Sequence, residues 1–312
     1  MKGYHLIFTV TFFVTLSLLS ISNPKKQSVL IQQNRFNQIS SNELKEEIVN
    51  PNISIKTPGF LEYSDIITQF KKWENEAESL VDVDYYGTTS DNTKICFAKI
   101  TNENNVNIKK KVLITGAIHG DEPLSTSILM GYVGRLLTEY GDDVSINEML
   151  NNREIYIIPV ISPDSYPNQR ESEGYDPNRD FNNENCKIIK EIKRFVTEQS
   201  FDAIISTHCF GKVMLIPWGN KRDLCNHHEI YKEITSKMQK VNNYDVIRGC
   251  QMYNELIYGS ELDWYYSKGI FAIVIEFSTT RNKISIREIE QEVNQNYNAI
   301  NIFVLEGAEV EI

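Results

Sequence analysis

Apolar residues along the chain fall into two kinds of run, short unbroken ones and longer ones spaced by three and four. The alternation of the two lays out the fold. Val112-Leu-Ile-Thr-Gly-Ala-Ile118 is an unbroken run that stops at His119 and Glu122, and Pro123 then opens the amphipathic run Leu124–Tyr140. This predicts a buried strand over Lys111–Ile118, a tight loop, and a helix over Pro123–Tyr140, with proline in the first turn where its missing N–H costs nothing. Upstream, Ser64–Leu80 has helical spacing (Ile66, Ile67, Phe70, Trp73, Ala77, Leu80). Val81–Tyr86 and Thr93–Ile100 read as strands around the turn Thr89-Ser-Asp-Asn92.

Downstream, Arg153–Ile161 is a β-branched strand, followed by a Pro- and Asn-rich loop over Ser162–Asn185. Cys186–Gln199 is a helix, Phe201–Thr207 a strand ending at His208, and Val213–Ile216 a short strand. Leu224–Val241 is helical, and Tyr253–Tyr266 is a loop running into a short helix. Ile270–Phe277 is a strand containing Glu276, and Ser285–Leu305 is a long closing helix. Alternating strands and helices predict a single α/β domain, residues 58–312, with a mixed, largely parallel sheet flanked by helices.

The first 57 residues differ in kind. Met1 to Asn23 has one Lys and then the apolar run Leu6–Ile21, with Ser20 and Ser22 placed as a cleavage site needs. The run is short for a spanning helix, which needs about 20 residues, so residues 1–22 are expected to be a signal peptide, with an uncleaved N-terminal membrane anchor as the alternative. Residues 23–57 are rich in Asn, Gln, Ser and Lys and read as a polar linker or pro-segment with at most a short helix around Ser41–Val49. Export to the periplasm, cell envelope or extracellular space follows from that reading. No later segment is long and apolar enough to span.

Composition narrows the classes. The chain has 312 residues, 41% of them apolar and 24% charged, enough for a large core. Its net charge of −10 and pI near 5.2 argue against nucleic acid as a partner. The five cysteines (96, 186, 209, 225 and 250) contain no Cys-x-x-Cys pair, so a zinc ribbon is not expected, while one or two disulfides and buried thiols both remain open.

Polar residues that close apolar strands are the candidate chemistry, because ligands of α/β sheets collect beyond the carboxyl ends of the strands. His119, Glu122 and His208 supply the two imidazoles and one carboxylate of a catalytic zinc site that keeps a position for water. Each alone has an ordinary explanation: a His-x-x-Glu is commonly a surface pair, and a lone histidine is commonly a core or loop residue. His227 and His228, in a helical stretch beside Glu229, read as a solvated face. In Asp176-Pro-Asn-Arg-Asp-Phe181, Arg179 offers a planar fork for a carboxylate, Asn178 an amide donor, and Asp176 an acceptor for the second ring nitrogen of a ligand histidine. Glu276, between Ile275 and Phe277, has the apolar surroundings that raise a carboxyl pKa and suit a general base.

Taken in order, His119-Gly-Asp-Glu122, Asp176-Pro-Asn-Arg179, His208 after a strand, a Tyr-containing loop before Asp263-Trp264, and Glu276 in an apolar strand resemble the zinc carboxypeptidases of the carboxypeptidase A type. The resemblance covers about residues 58–307, and the short Ser162–Tyr175 loop is similar to that of compact bacterial members such as the murein-peptide amidases. It implies an eight-stranded mixed sheet, one zinc ion on His119, Glu122 and His208, and Glu276 as general base. It also implies Asn178 and Arg179 on the substrate's terminal carboxylate, Asp176 orienting His119, and Arg170 at the oxyanion. Tyr253, in preference to Tyr258, would cap the substrate. Asp121 departs from the pattern, standing where digestive members have a substrate-binding arginine. The specificity position falls at Glu261, favouring a basic or diaminopimelate-like terminus, or at Leu262, favouring an apolar one.

The expected function is therefore hydrolysis of the C-terminal amide bond of a peptide or a peptidoglycan stem (muropeptide) by an exported, monomeric zinc metallocarboxypeptidase. The alternative within the same chemistry is an aspartoacylase-like amidohydrolase acting on N-acyl amino acids. A non-catalytic binding module would require a lost ligand or base, and none is lost.

Overall fold

Consecutive residues of the central strands feed opposite faces of one sheet, and that alternation decides where polar side chains emerge. A computed structural model describes residues 59–281 and 283–312. The segments expected to be a signal peptide and linker, including the short helix at Ser41–Val49, lie outside the described residues. Helix α1 (Tyr63–Glu76) leads into strands β1 (Val81–Thr88) and β2 (Lys94–Ile100), then β3 (Lys110–Thr115), α2 (Pro123–Glu139), α3 (Val144–Asn152) and β4 (Arg153–Ile158). After a 3-10 turn at Pro177–Arg179 come α4 (Lys187–Gln199), β5 (Ala203–Cys209), β6 (Val213–Ile216), α5 (His228–Asn242) and β7 (Asp245–Arg248). Helix α6 (Glu261–Ser267), β8 (Phe271–Phe277) and α7 (Ile286–Glu306) close the domain.

The eight strands form one sheet in the order β1-β2-β4-β3-β5-β8-β6-β7. The block β4-β3-β5-β8 is parallel, while β1, β2 and β6 run antiparallel to neighbours and β7 pairs parallel with β6. This is the mixed sheet expected from the alternation of elements.

Along β3, Val112 and Ile114 pack into one hydrophobic core with α1, α2 and α7, and Leu113 packs into a second with α4 and α6. Strands buried on both faces read as continuous apolar runs, the form they take in the sequence. On β8, Ala272 and Val274 belong to the second core and Phe271, Ile273 and Ile275 to the first. Glu276 therefore emerges on the α6 side at the carboxyl end of its strand. By the same parity His208 emerges there from β5, where Ala203 and Ile205 face the first core and Ile204 the second.

Several elements differ from expectation. Strand β3 stops at Thr115 rather than Ile118, and β4 at Ile158 rather than Ile161. Beyond the strands the two segments stay linked by backbone hydrogen bonds: Gly116 N–H donates to the Ile158 carbonyl, Ile161 N–H to that of Gly116 and Ser162 N–H to that of Ala117. Helix α5 starts at His228, four residues later than predicted, and α3 and the edge strand β7 were not foreseen. His227 and His228 are both half-buried, with His227 Nδ1 2.9 Å from the Tyr266 hydroxyl, so the solvated face expected there is corrected for both. All five cysteines are buried and unbridged. Among the described residues no helix is long and apolar enough to cross a membrane.

Candidate metal centre and substrate cleft

Two loops and two strand ends converge beyond the carboxyl edge of β3, β5 and β8. His119 lies in the loop after β3, and Glu122 immediately precedes helix α2. Gly120 lets this loop lie flat on its neighbour, since a Cβ there would come within 2.5 Å of the Ser165 backbone. His208 is the penultimate residue of β5, in register with Glu276 of β8. All four side chains are buried.

His119 Nδ1 lies 3.0 Å from Glu122 Oε1, and His208 Nδ1 lies 3.0 Å from Glu122 Oε2. The other ring nitrogens face further carboxylates, His119 Nε2 at 3.0 Å from Asp176 Oδ1 and His208 Nε2 at 2.6 Å from Glu261 Oε1. Each imidazole thus has acceptors at both nitrogens, and a neutral imidazole can donate to only one. An N–H on each Nε2 satisfies the outer carboxylates and leaves both Nδ1 lone pairs aimed at Glu122, so the arrangement is complete when a cation sits between them. One donor atom from each of His119, Glu122 and His208 lies within 4.8 Å of the others. Tetrahedral zinc with bonds of about 2.0–2.2 Å holds its donors roughly 3.4 Å apart, close to the 3.0 Å that separates each Nδ1 from a Glu122 oxygen. The donor set fits the ion.

The electrostatics agree. Burial alone would raise the Glu122 carboxyl pKa, but His208 and His119 hold it well below the usual carboxylate range. Asp176 is likewise depressed despite its burial, by His119, Arg170 and Arg179. Burial would lower His208, yet Glu122 and Glu261 raise it well above the ordinary histidine value. Glu276 moves the other way: burial lifts it to about 7, with Glu122 adding to the rise and His208 opposing it. Two carboxyls at one centre are thus pushed apart, one fixed as an anion and the other poised to exchange a proton near neutrality.

Asp176 also organises the polar loop. Its Oδ1 accepts from the Asn178 backbone N–H at 3.0 Å, starting the 3-10 turn, and its Oδ2 accepts from Arg170 Nε at 3.3 Å and Nη2 at 3.2 Å. Arg170 reaches Glu122 Oε1 at 3.4 Å. The turn sets Asn178 beside His208 and directs the Arg179 guanidinium into the cleft. Gly259, at φ +71°, packs against the Arg179 carbonyl where a side chain would collide, and its own carbonyl accepts from Phe181 N–H at 3.1 Å.

The cleft brings every sequence-predicted site residue but Asp176 to its walls, and Asp176 holds His119 from behind. Tyr253 lines it and Tyr258 does not. The apolar part of the wall is Leu215, Met252, Ile257, Leu262 and Val274, with Gly219 and Gly249 also lining the cleft. Leu262 faces this pocket, whereas Glu261 is fully buried against His208.

Sequence reasoning missed Arg281, which follows β8. Its Nε donates to the Cys209 carbonyl at 3.1 Å, and its terminal nitrogens lie 3.5 Å from Asp121 and 3.4 Å from Glu122 Oε1. Asp121 therefore brings an arginine to the rim of the centre instead of being one. No motif surrounds Arg281, and the only sequence signal was the unexplained acidic residue at 121.

The zinc carboxypeptidase family profile matches residues 66–299, three-quarters of the chain and all of the sheet. The chain belongs to the zinc carboxypeptidase family. It is 21% identical to carboxypeptidase O of Bos taurus over 280 residues, 73% of each protein. Its fold resembles the carboxypeptidase A of Helicoverpa armigera (TM-score 0.72, 16% identity, 93% of this chain and 82% of that one). It also resembles a metallo-carboxypeptidase from Pseudomonas aeruginosa (TM-score 0.61, 14% identity, 78% and 69%). Family membership makes the chain a metallocarboxypeptidase, a hydrolase whose family cofactor is zinc and whose family substrates are peptides.

Proposed function

We propose that the chain is an active, single-zinc carboxypeptidase that releases a C-terminal residue with an apolar side chain. The observation that supports this most directly is the convergence of His119, Glu122, His208, Glu276 and Arg179 on one cleft whose far wall is apolar. His119, Glu122 and His208 hold the metal. Zinc, when bound, polarises the scissile carbonyl and acidifies a water. Glu276, buried and with an elevated pKa, takes the proton from that water and passes it to the departing amine. Arg179 forms the carboxylate clamp with Asn178, whose Oδ1 is held by the Glu261 backbone N–H at 2.9 Å. Arg170, fixed by Asp176, offsets charge developing on the carbonyl oxygen. Tyr253, half-exposed at the rim, caps the bound end.

Leu262 in the pocket supports an apolar terminal residue over a basic one, and gives no carboxylate for a diaminopimelate amine. An ordinary peptide is thus favoured over a peptidoglycan stem. The N-terminal apolar segment supports export, and a monomer suffices because every proposed group comes from one chain. Turnover of blocked dipeptides ending in Phe or Leu should exceed that of the corresponding N-acyl amino acids. Faster cleavage of simple N-acyl amino acids would instead indicate a deacylase.

A further inference from the structure

We infer that Glu261 is a positioning residue that orients His208 toward the metal and tightens the hold of this centre on a divalent cation. The inference rests on the zinc site proposed above. Glu261 is the first residue of α6 and has no exposed surface. Its Oε1 lies 2.6 Å from His208 Nε2, and its Oε2 has no hydrogen-bond partner among the described residues. A buried carboxylate is tolerated only when paired. Among the described residues no arginine or lysine pairs with it, and its partner is the imidazole. The side chain is absent from the cleft wall, where the adjacent Leu262 takes the pocket position. The Glu261 side chain therefore reaches substrate through His208, while its backbone N–H holds Asn178.

The two ligand histidines are supported unequally. Asp176 divides itself among His119, Arg170 and the Asn178 amide, and its side chain is 27% exposed. Glu261 is undivided and fully buried, with its backbone pinned by Asn178 and the helix capped by the Ser260 hydroxyl. Accepting the Nε2–H fixes the tautomer that leaves Nδ1 free to ligate. It also turns the ring to face Glu122 and increases its basicity as a ligand. Glu261 and Leu262 are consecutive on one helical turn, so the segment that steadies the metal ligand also supplies the pocket wall.

The test compares zinc affinity of the full chain with that of E261L, E261A and E261Q, by competition against a chromophoric chelator. Both E261L and E261A should bind zinc about 10–100-fold more weakly, while E261Q, which keeps an acceptor oxygen, should lose less. Metal-free E261L should remain folded at the titration temperature by far-UV circular dichroism, which separates lost ligation from lost folding. In the cobalt-loaded parent, proton NMR should show slowly exchanging Nε2–H signals from both ligand imidazoles, with that of His208 lost in E261A. Equal zinc affinity in parent, E261L and E261A, or a His208 Nε2–H that exchanges freely in the parent, would overturn the inference and leave the zinc site standing. A parent chain that takes up no zinc would overturn both.

Discussion

His208 of β5 and Glu276 of β8 are register partners across a parallel strand pair, so a ligand imidazole and the candidate base leave the same sheet face at the same level. Neighbouring strands lie about 4.8 Å apart. The backbone ladder, not a loop, therefore sets how far the base sits from the metal. Val274, two residues earlier on β8, faces the same side and lines the terminal pocket.

Glu276 gives a pH signature that needs no substrate. Its folded pKa is raised from the ordinary carboxyl value of 4.5 to about 7 by burial. The folded state then holds the proton more tightly than the unfolded chain, so the Glu276 contribution to stability is fully present below pH 4.5 and is lost as pH rises through 7. In metal-free protein, the melting temperature of E276Q should match the parent at pH 4.5 and exceed it increasingly toward pH 8. In zinc-loaded enzyme the added positive charge lowers this pKa, so the acid limb of kcat/KM, which falls as Glu276 gains its proton, should lie below pH 7.

Leu262 should govern terminal-residue preference. In L262D, the ratio of kcat/KM for substrates ending in Lys to those ending in Leu should rise by about tenfold or more, because a carboxylate in an apolar pocket is left unpaired by an apolar side chain. An unchanged ratio would place the pocket elsewhere.

Arg170 is expected to act in the transition state. R170M should lower kcat by about 100- to 1000-fold, the usual loss for one oxyanion donor, with a much smaller change in KM. A rise in KM at constant kcat would assign it to ground-state binding.

Gly120 is demanded by space rather than by backbone freedom. G120A would set a Cβ against the Ser165 backbone, displacing the loop that carries His119 and Glu122. Zinc affinity should fall and stability drop by about 1–3 kcal/mol. G174A, at φ +81° with open space around it, should cost about 1 kcal/mol and leave zinc affinity unchanged.

Much of this was legible in sequence because the functional side chains interrupt apolar strands. His208 and Glu276 are conspicuous against Ile204–Ile205 and Ile273–Ile275. The unbroken apolar runs pointed to strands buried on both faces, but not to their order in the sheet. Glu261 and Leu262 could not be separated, since adjacent helical residues point about 100° apart and the sequence does not say which direction is the cleft. Strand β7 has four residues with Asp245 and Arg248 at its ends, too short and polar for a periodic signal. Helix α3 buries only Ile146, Met149 and Leu150, though Asp143, which caps it by accepting from Ser145 and Ile146 N–H, was a visible start signal. Arg281 reaches the centre from a loop by a tertiary contact, and nothing local marks it.

The most direct measurement follows release of the C-terminal residue from a blocked dipeptide ending in Leu or Phe, by mass spectrometry. It uses the chelated enzyme, the enzyme reconstituted with one equivalent of zinc, and reconstituted E276Q. Release should vanish on chelation and return with zinc. In E276Q it should fall by about 100- to 10,000-fold while zinc still binds. Release that persists after complete zinc removal, or a fully active zinc-loaded E276Q, would contradict a zinc carboxypeptidase with Glu276 as its base.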